Sequence, residues 1–108
     1  LNEFAESSQV GIRIYEEALP IHDAVRAVCE LMGFDPLYIA NEGKLVALVP
    51  QRDADKVLAR MHQNRYGGRA RIIGEVVSEH PGRVVMKTPL GTSRIVDMLT
   101  GELLPRIC

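Results

Sequence analysis

Val10-Gly11-Ile12-Arg13-Ile14-Tyr15 sets Val10, Ile12 and Ile14 against Gly11, Arg13 and Tyr15 in strict alternation. Period two puts successive side chains on opposite faces, the pattern of a strand with one face buried. A sheet with one apolar face needs a second layer, so the rest of the chain is read for what covers it. On the N-terminal side, Leu1, Phe4 and Ala5 have helical spacing ahead of Ser7-Ser8, which predicts a short entry helix over Leu1–Ser8. On the C-terminal side Pro20 ends the extended segment. From His22 to Met32, Val25, Val28, Cys29 and Met32 fall at i, i+3, i+4 and i+7, the stripe of an amphipathic helix. Asp23 in its first turn suits the helix dipole, and Gly33 follows as a natural stop.

Further along, Asp35-Pro36 starts a turn, and Asn41-Glu42-Gly43-Lys44 is a polar, glycine-bearing loop. It leads into Leu45–Val49, a continuous apolar run that reads as a central strand ended by Pro50. Asp53 is an N-cap candidate for a second amphipathic helix carrying Ala54, Val57, Leu58 and Met61, which runs out near Asn64 before Gly67-Gly68. Beyond it, Ala70–Val77 reads as a strand with a bulge at Gly74, His80-Pro81-Gly82 as a turn and Arg83–Lys87 as a strand. Pro89-Leu90-Gly91 turns again, Ser93–Val96 is a last strand, and Thr100-Gly101 is a turn before the end. The order β-α-β-α-β-β-β predicts an α/β two-layer sandwich. Its sheet is mixed and mostly antiparallel, with helices covering one face. The expected division is a folded domain over 1–100 and a flexible C-terminal tail over 101–108.

Composition removes several classes. With 108 residues the chain suits one domain. Thirteen basic and 14 acidic residues leave a formal net charge of −1, without the basic surplus of a nucleic-acid module. No apolar run approaches the length that spans a bilayer, so no membrane partner is expected. Two cysteines do not make a disulfide framework, and a reducing, cytoplasmic compartment is expected. The first residue is Leu1 rather than Met, which reads as processing or as a piece of something longer.

Two positions stand out. Cys108 ends the chain, and a thiol on a terminus can move between sites in a way a core thiol cannot. The eight residues Gly101–Cys108 reach at most about 26–29 Å when extended. Glu42, in a polar loop at the start of a strand, is placed to act as a general base. The bland readings are a dispensable end and an ordinary turn. Cys29, on a helix stripe, reads as a core thiol. His22, His62 and His80 share no ligand spacing, so no metal is expected. Gly67-Gly68-Arg69 lacks the phosphate-loop pattern and reads as a helix-to-strand turn.

The run Phe34-Asp35-Pro36-Leu37-Tyr38-Ile39-Ala40-Asn41-Glu42-Gly43-Lys44-Leu45-Val46 and the terminus Pro105-Arg106-Ile107-Cys108 together closely resemble the HypE family of hydrogenase maturation proteins. These are carbamoyl dehydratases of the aminoimidazole ribonucleotide synthetase-like superfamily. Leu1–Ala5 and Gly11-Ile12 fit the same family. The resemblance covers the chain but only the C-terminal domain of the family. It implies that HypF transfers a carbamoyl group to the Cys108 thiol, and that ATP with Mg, bound mainly by a domain absent here, drives dehydration to a thiocyanate. It further implies that cyanide passes to iron on a HypC–HypD complex, that Glu42 handles the carboxamide proton, and that the full-length protein is a homodimer. The isolated domain is expected to be inactive. Two other functions compete: a small α/β binding or regulatory domain with an unimportant tail, and the matching domain of a related ATP-dependent synthetase.

Overall fold

The computed structural model describes residues 1–39 and 43–97. The elements are α1 (Asn2–Ser8), β1 (Gly11–Tyr15), α2 (Asp23–Met32), α3 (Ala54–Gln63), β2 (Gly74–Val77), β3 (Val84–Lys87) and β4 (Ser93–Ile95), with short 3-10 turns between them. The described residues fall into two compact units, one of residues 1–20 with 54–97 and one of residues 21–39 with 43–53.

The first unit holds an open four-stranded sheet in the order β2-β1-β3-β4. β1 runs antiparallel to β2 and parallel to β3, and β3 runs antiparallel to β4. The sheet is therefore mixed, as expected, and its first strand in sequence is one of its two central strands. The alternation in β1 does what period two requires: Ile12 and Ile14 are buried while Tyr15 is exposed. Val84 and Met86 repeat the pattern on β3 and are 1% and 2% exposed. Burying side chains of this size stabilises by roughly 1.5–3 kcal/mol each. The register Ile12↔Val84 and Ile14↔Met86 sets these four on one face.

α1 enters this sheet through a tight exit. Gln9 takes a left-handed conformation (φ 54°), and the Val10 amide donates to the Ala5 carbonyl at 3.1 Å. Ala5 is fully buried. The Gly82 amide then donates to the Val10 carbonyl at 2.9 Å, and the Ile12 amide to the Arg83 carbonyl at 3.0 Å, so the chain is tied to the turn before β3 from Val10, just ahead of β1, onward.

Gly74 is not a bulge. Its register is unbroken, Ile14↔Gly74 through Gly11↔Val77. The glycine is needed because a Cβ there would lie 2.1 Å from the Arg13 carbonyl oxygen. The expected strand over Ala70–Val77 is correspondingly shorter and begins at Gly74.

In the second unit α2 forms as expected and Gly33 closes it at φ 73°, but of the stripe Cys29 is buried while Val25, Val28 and Met32 are exposed. The Phe34 amide donates back to the Cys29 carbonyl at 2.9 Å. The reading of Leu45–Val49 as a central strand is corrected. No strand ladder includes these residues, and all five are exposed, Leu45 to 81%. A continuous apolar run states a preference for burial, whereas a strand needs a neighbour offering free N–H and C=O groups at the right spacing. Among the described residues none is offered. No helix among the described residues is long and apolar enough to cross a membrane.

Candidate functional site

The two residues singled out by sequence, Cys108 and Glu42, lie outside the described residues, as do the Thr100-Gly101 turn and the tail over 101–108. What the structure does build is the chain on either side of each.

Before Glu42, Asp35 caps the 3-10 turn Pro36–Tyr38: its Oδ1 accepts from the Leu37 amide at 3.0 Å. The Asp35 carbonyl accepts from the Tyr38 amide at 3.0 Å. Asp35-Pro36 thus starts the turn that its sequence announces, with proline fixing φ and the carboxylate satisfying an orphan amide. After Glu42, Gly43 sits at φ 77°, a region that side-chain-bearing residues avoid. Lys44 beside it is exposed.

Before Cys108, the Thr88–Thr92 turn is closed by the Thr88 amide on the Thr92 carbonyl at 2.9 Å. β4 follows as the edge strand, and the Val96 amide donates to the Val84 carbonyl at 2.8 Å. Val96 is buried and Asp97 exposed, so the last described residue leaves a firmly held edge.

Elsewhere in the first unit is a polar cluster that strand alternation only hinted at. Arg13 forks between Glu75 Oε1 at 3.0 Å and Glu79 Oε2 at 2.6 Å, and the Tyr15 hydroxyl donates to Glu75 Oε1 at 2.8 Å. The Tyr15 hydroxyl and Arg13 hold the Glu75 carboxyl below its usual range, and Tyr15 and Glu75 raise the Arg13 guanidinium above its own. A carboxylate held below its usual range, with Oε1 accepting from both Arg13 and Tyr15, is a weak proton acceptor, so this cluster staples β1 to β2. Tyr15, Glu17, Ala18, Lys87 and Thr88 line a shallow, open hollow nearby.

The remaining candidates separate. Cys29 is a buried free thiol. His62 Nε2 lies 2.8 Å from the Ala70 carbonyl, a structural bond that fixes a loop. His80 takes a positive φ of 40°, and its Nδ1 is buried without a partner among the described residues. His22 stands just ahead of α2. No group of His, Cys, Asp and Glu among the described residues could hold a metal ion. Nor do a nucleophile, a base and an orienting group meet among them.

Comparison with known proteins supplies what the local geometry does not. Residues 1–87 match the family described as AIR synthase related protein, C-terminal domain. Carbamoyl dehydratase HypE of Azotobacter vinelandii is 51% identical over all 108 residues, which correspond to 32% of that protein. A crystal structure of hydrogenase maturation protein HypE in complex with ATP superposes with a TM-score of 0.90 at 43% identity, over 100% of this chain and 33% of that one. A HypE–HypF complex does so with a TM-score of 0.84 at 48% identity, over 90% of this chain and 31% of that one. The chain spans about a third of the length of these relatives.

Proposed function

The chain belongs to the AIR synthase related, C-terminal domain family, and from that premise we propose that it is the carrier domain of a carbamoyl dehydratase of the HypE kind, acting in the cytoplasm in [NiFe] hydrogenase maturation. The observation that supports this reading is 51% identity to carbamoyl dehydratase HypE across all 108 residues of this chain, Cys108 within the matched span. Residues 1–100 are the anchoring domain and 101–108 the arm.

The Cys108 thiolate attacks the carbamoyl carbon of the activated donor held by HypF, forming an S–C bond as the donor's leaving group departs. The product is an S-carboxamide on this chain. ATP, bound mainly outside these 108 residues, supplies the phosphoryl group that turns the carboxamide oxygen into a leaving group. The carboxamide nitrogen gives up two protons: one to solvent as the oxygen takes the phosphoryl group, and one to Glu42 as phosphate departs, and Cys108 then carries a thiocyanate. Cyanide then passes to iron on HypC–HypD: the S–C bond breaks with two electrons supplied from the acceptor complex, so that cyanide and the Cys108 thiolate both leave as anions. The thiol has to visit three places, and the held edge at Val96 supports the reading of an arm swung from a rigid anchor. The full-length protein works as a homodimer on this reading.

The test uses the full-length protein with HypF, carbamoyl phosphate and ATP, and follows the mass of its C-terminal peptide. One carbamoyl group should be gained at Cys108 and one water then lost. An unmodified peptide, or hydrogenase maturation that survives Cys108→Ala, leaves the chain a binding or regulatory domain. Glu42→Gln should allow carbamoylation and block the loss of water. Dehydratase activity in the isolated 108-residue chain would contradict its dependence on the rest of the protein.

A further inference from the structure

From Arg60 to Arg71 the chain carries Arg60, His62, Arg65, Arg69 and Arg71 and no acidic residue. All five are exposed. In a chain of net charge −1 this is a local surplus that has to be explained. Part of the explanation is ordinary: Arg60 and His62 lie in the last turn of α3, where positive charge suits the helix dipole. That effect fades within a turn, and α3 ends at Gln63. Arg65, Arg69 and Arg71 lie beyond it. Among the described residues no carboxylate pairs with Arg60, Arg65 or Arg71.

The loop that presents these charges is built, not slack. The Tyr66 amide donates to Asn64 Oδ1 at 2.9 Å and the Gly67 amide to the Asn64 carbonyl at 2.9 Å. The Ala70 amide donates to the Gly67 carbonyl at 3.1 Å, and His62 closes the base on the Ala70 carbonyl at 2.8 Å. Gly67 packs where a Cβ would stand 2.0 Å from the Met61 carbonyl oxygen. At the tip the Arg65 guanidinium lies 4.6 Å from the centroid of the Tyr66 ring and also donates to the Tyr66 hydroxyl. Tyr66 is 81% exposed. An aromatic of this size left in water, beside arginines and already ordered, is the composition of an interface anchor. Ordering before contact removes part of the entropic cost of association.

We propose that the α3–β2 loop is a docking surface for an acidic protein surface, and that the partner bearing it is the carbamoyl-transferring protein. The inference rests on the function proposed above. A protein fits better than a nucleic acid because Arg65 lies over the Tyr66 ring that a base would stack on. Asp97 belongs to the same unit, so a transferase docked there would meet Cys108 tethered through residues 98–108 rather than free in solution, and its capture becomes an intramolecular event.

The experiment measures the dissociation constant of the full-length protein for its transferase at low and at moderate salt. Arg65→Glu with Arg71→Glu should weaken binding by about tenfold or more and flatten its salt dependence. Arg65→Lys with Arg71→Lys should recover most of the affinity. If the double reversal does not fold, Arg65→Ser with Arg71→Ser should still weaken binding by at least about threefold. Unchanged affinity in these variants, or a higher affinity of the wild type for a single-stranded oligonucleotide than for the transferase, overturns the docking surface. A wild-type protein that does not bind the transferase at all overturns the proposed function itself, and is seen before any variant is made.

Discussion

Val84–Lys87 and Leu45–Val49 are short apolar runs, and the second is the more apolar of the two. Their fates differ. Val84–Lys87 is paired on both sides, parallel to β1 and antiparallel to β4, with Val84 and Met86 almost wholly buried. Leu45–Val49 pairs with no described strand and stays exposed throughout. Apolar content says that a segment gains by burial; it does not say which edge will accept it. What distinguishes β3 is its setting: the turn at His80–Gly82 delivers it beside β1, and the Thr88–Thr92 turn brings β4 back along it.

The sharpest way to break this contrast is truncation on each side. Met86→Ala leaves a cavity between tightly packed neighbours and should cost about 2–5 kcal/mol of unfolding free energy. Leu45→Ala removes a side chain already in water and should change stability by less than about 0.5 kcal/mol. Denaturant unfolding of both variants reads the difference, and equal costs would mean that Leu45 is buried in the folded protein. Amide hydrogen exchange gives the same comparison without mutation. The amides of Ile12 and Val96, bonded to Arg83 and Val84, should exchange through global opening, and those of Leu45–Val49 through local fluctuation.

A smaller effect tests how tightly β1 and β2 approach. Gly74→Ala sets a methyl group 2.1 Å from the Arg13 carbonyl oxygen, and backbone has to move to admit it. The expected loss is about 1–3 kcal/mol. A neutral result would show that β2 yields easily, and that the contrast lies in β1 and β3 alone.

The sequence made parts of this legible and left others dark for identifiable reasons. Val10–Tyr15 announces a strand because one buried face imposes period two, and Val25, Val28, Cys29 and Met32 announce a helix because an apolar stripe has its own period, even though only Cys29 of the four is buried. These are local signals. Leu45–Val49 was misread because a continuous run carries no period, and pairing depends on a partner distant in sequence. Gly74 was read as a bulge because a glycine inside a strand looks alike whether it interrupts the ladder or lets two backbones meet. The Arg13–Glu75–Tyr15 cluster is not legible because Glu75 lies 62 and 60 residues from Arg13 and Tyr15 and meets them only once the β1–β2 register is known. The functional reading came from elsewhere, from the family resemblance of residues 34–46 and the terminal Pro105–Cys108. Periodicity is silent on such matters, since a carrier thiol and a proton-handling carboxylate need not obey any packing rule.

The smallest expected effect concerns that cluster, where exposure limits what a good geometry can contribute. Glu75 is held below the usual carboxylate range first by the Tyr15 hydroxyl and then by Arg13. A depressed folded-state value means that the unfolded chain takes up its proton first as pH falls. The contribution of Glu75 is therefore complete above its unfolded value, near ~4.3, and drains away as pH drops through the lower folded one. Tyr15→Phe removes the larger of the two causes while keeping the ring. Titration of the Glu75 side-chain carbonyl by NMR should then show its midpoint moving up toward the ordinary range, with Arg13→Ala also moving it upward. Acid unfolding should shift only slightly in either variant, because solvent screens what the hydrogen bond loses. A large acid shift in Tyr15→Phe would show that the polar face of β1 and β2 is shielded in solution, and the division between a buried, paired sheet face and a merely stapled one would have to be redrawn.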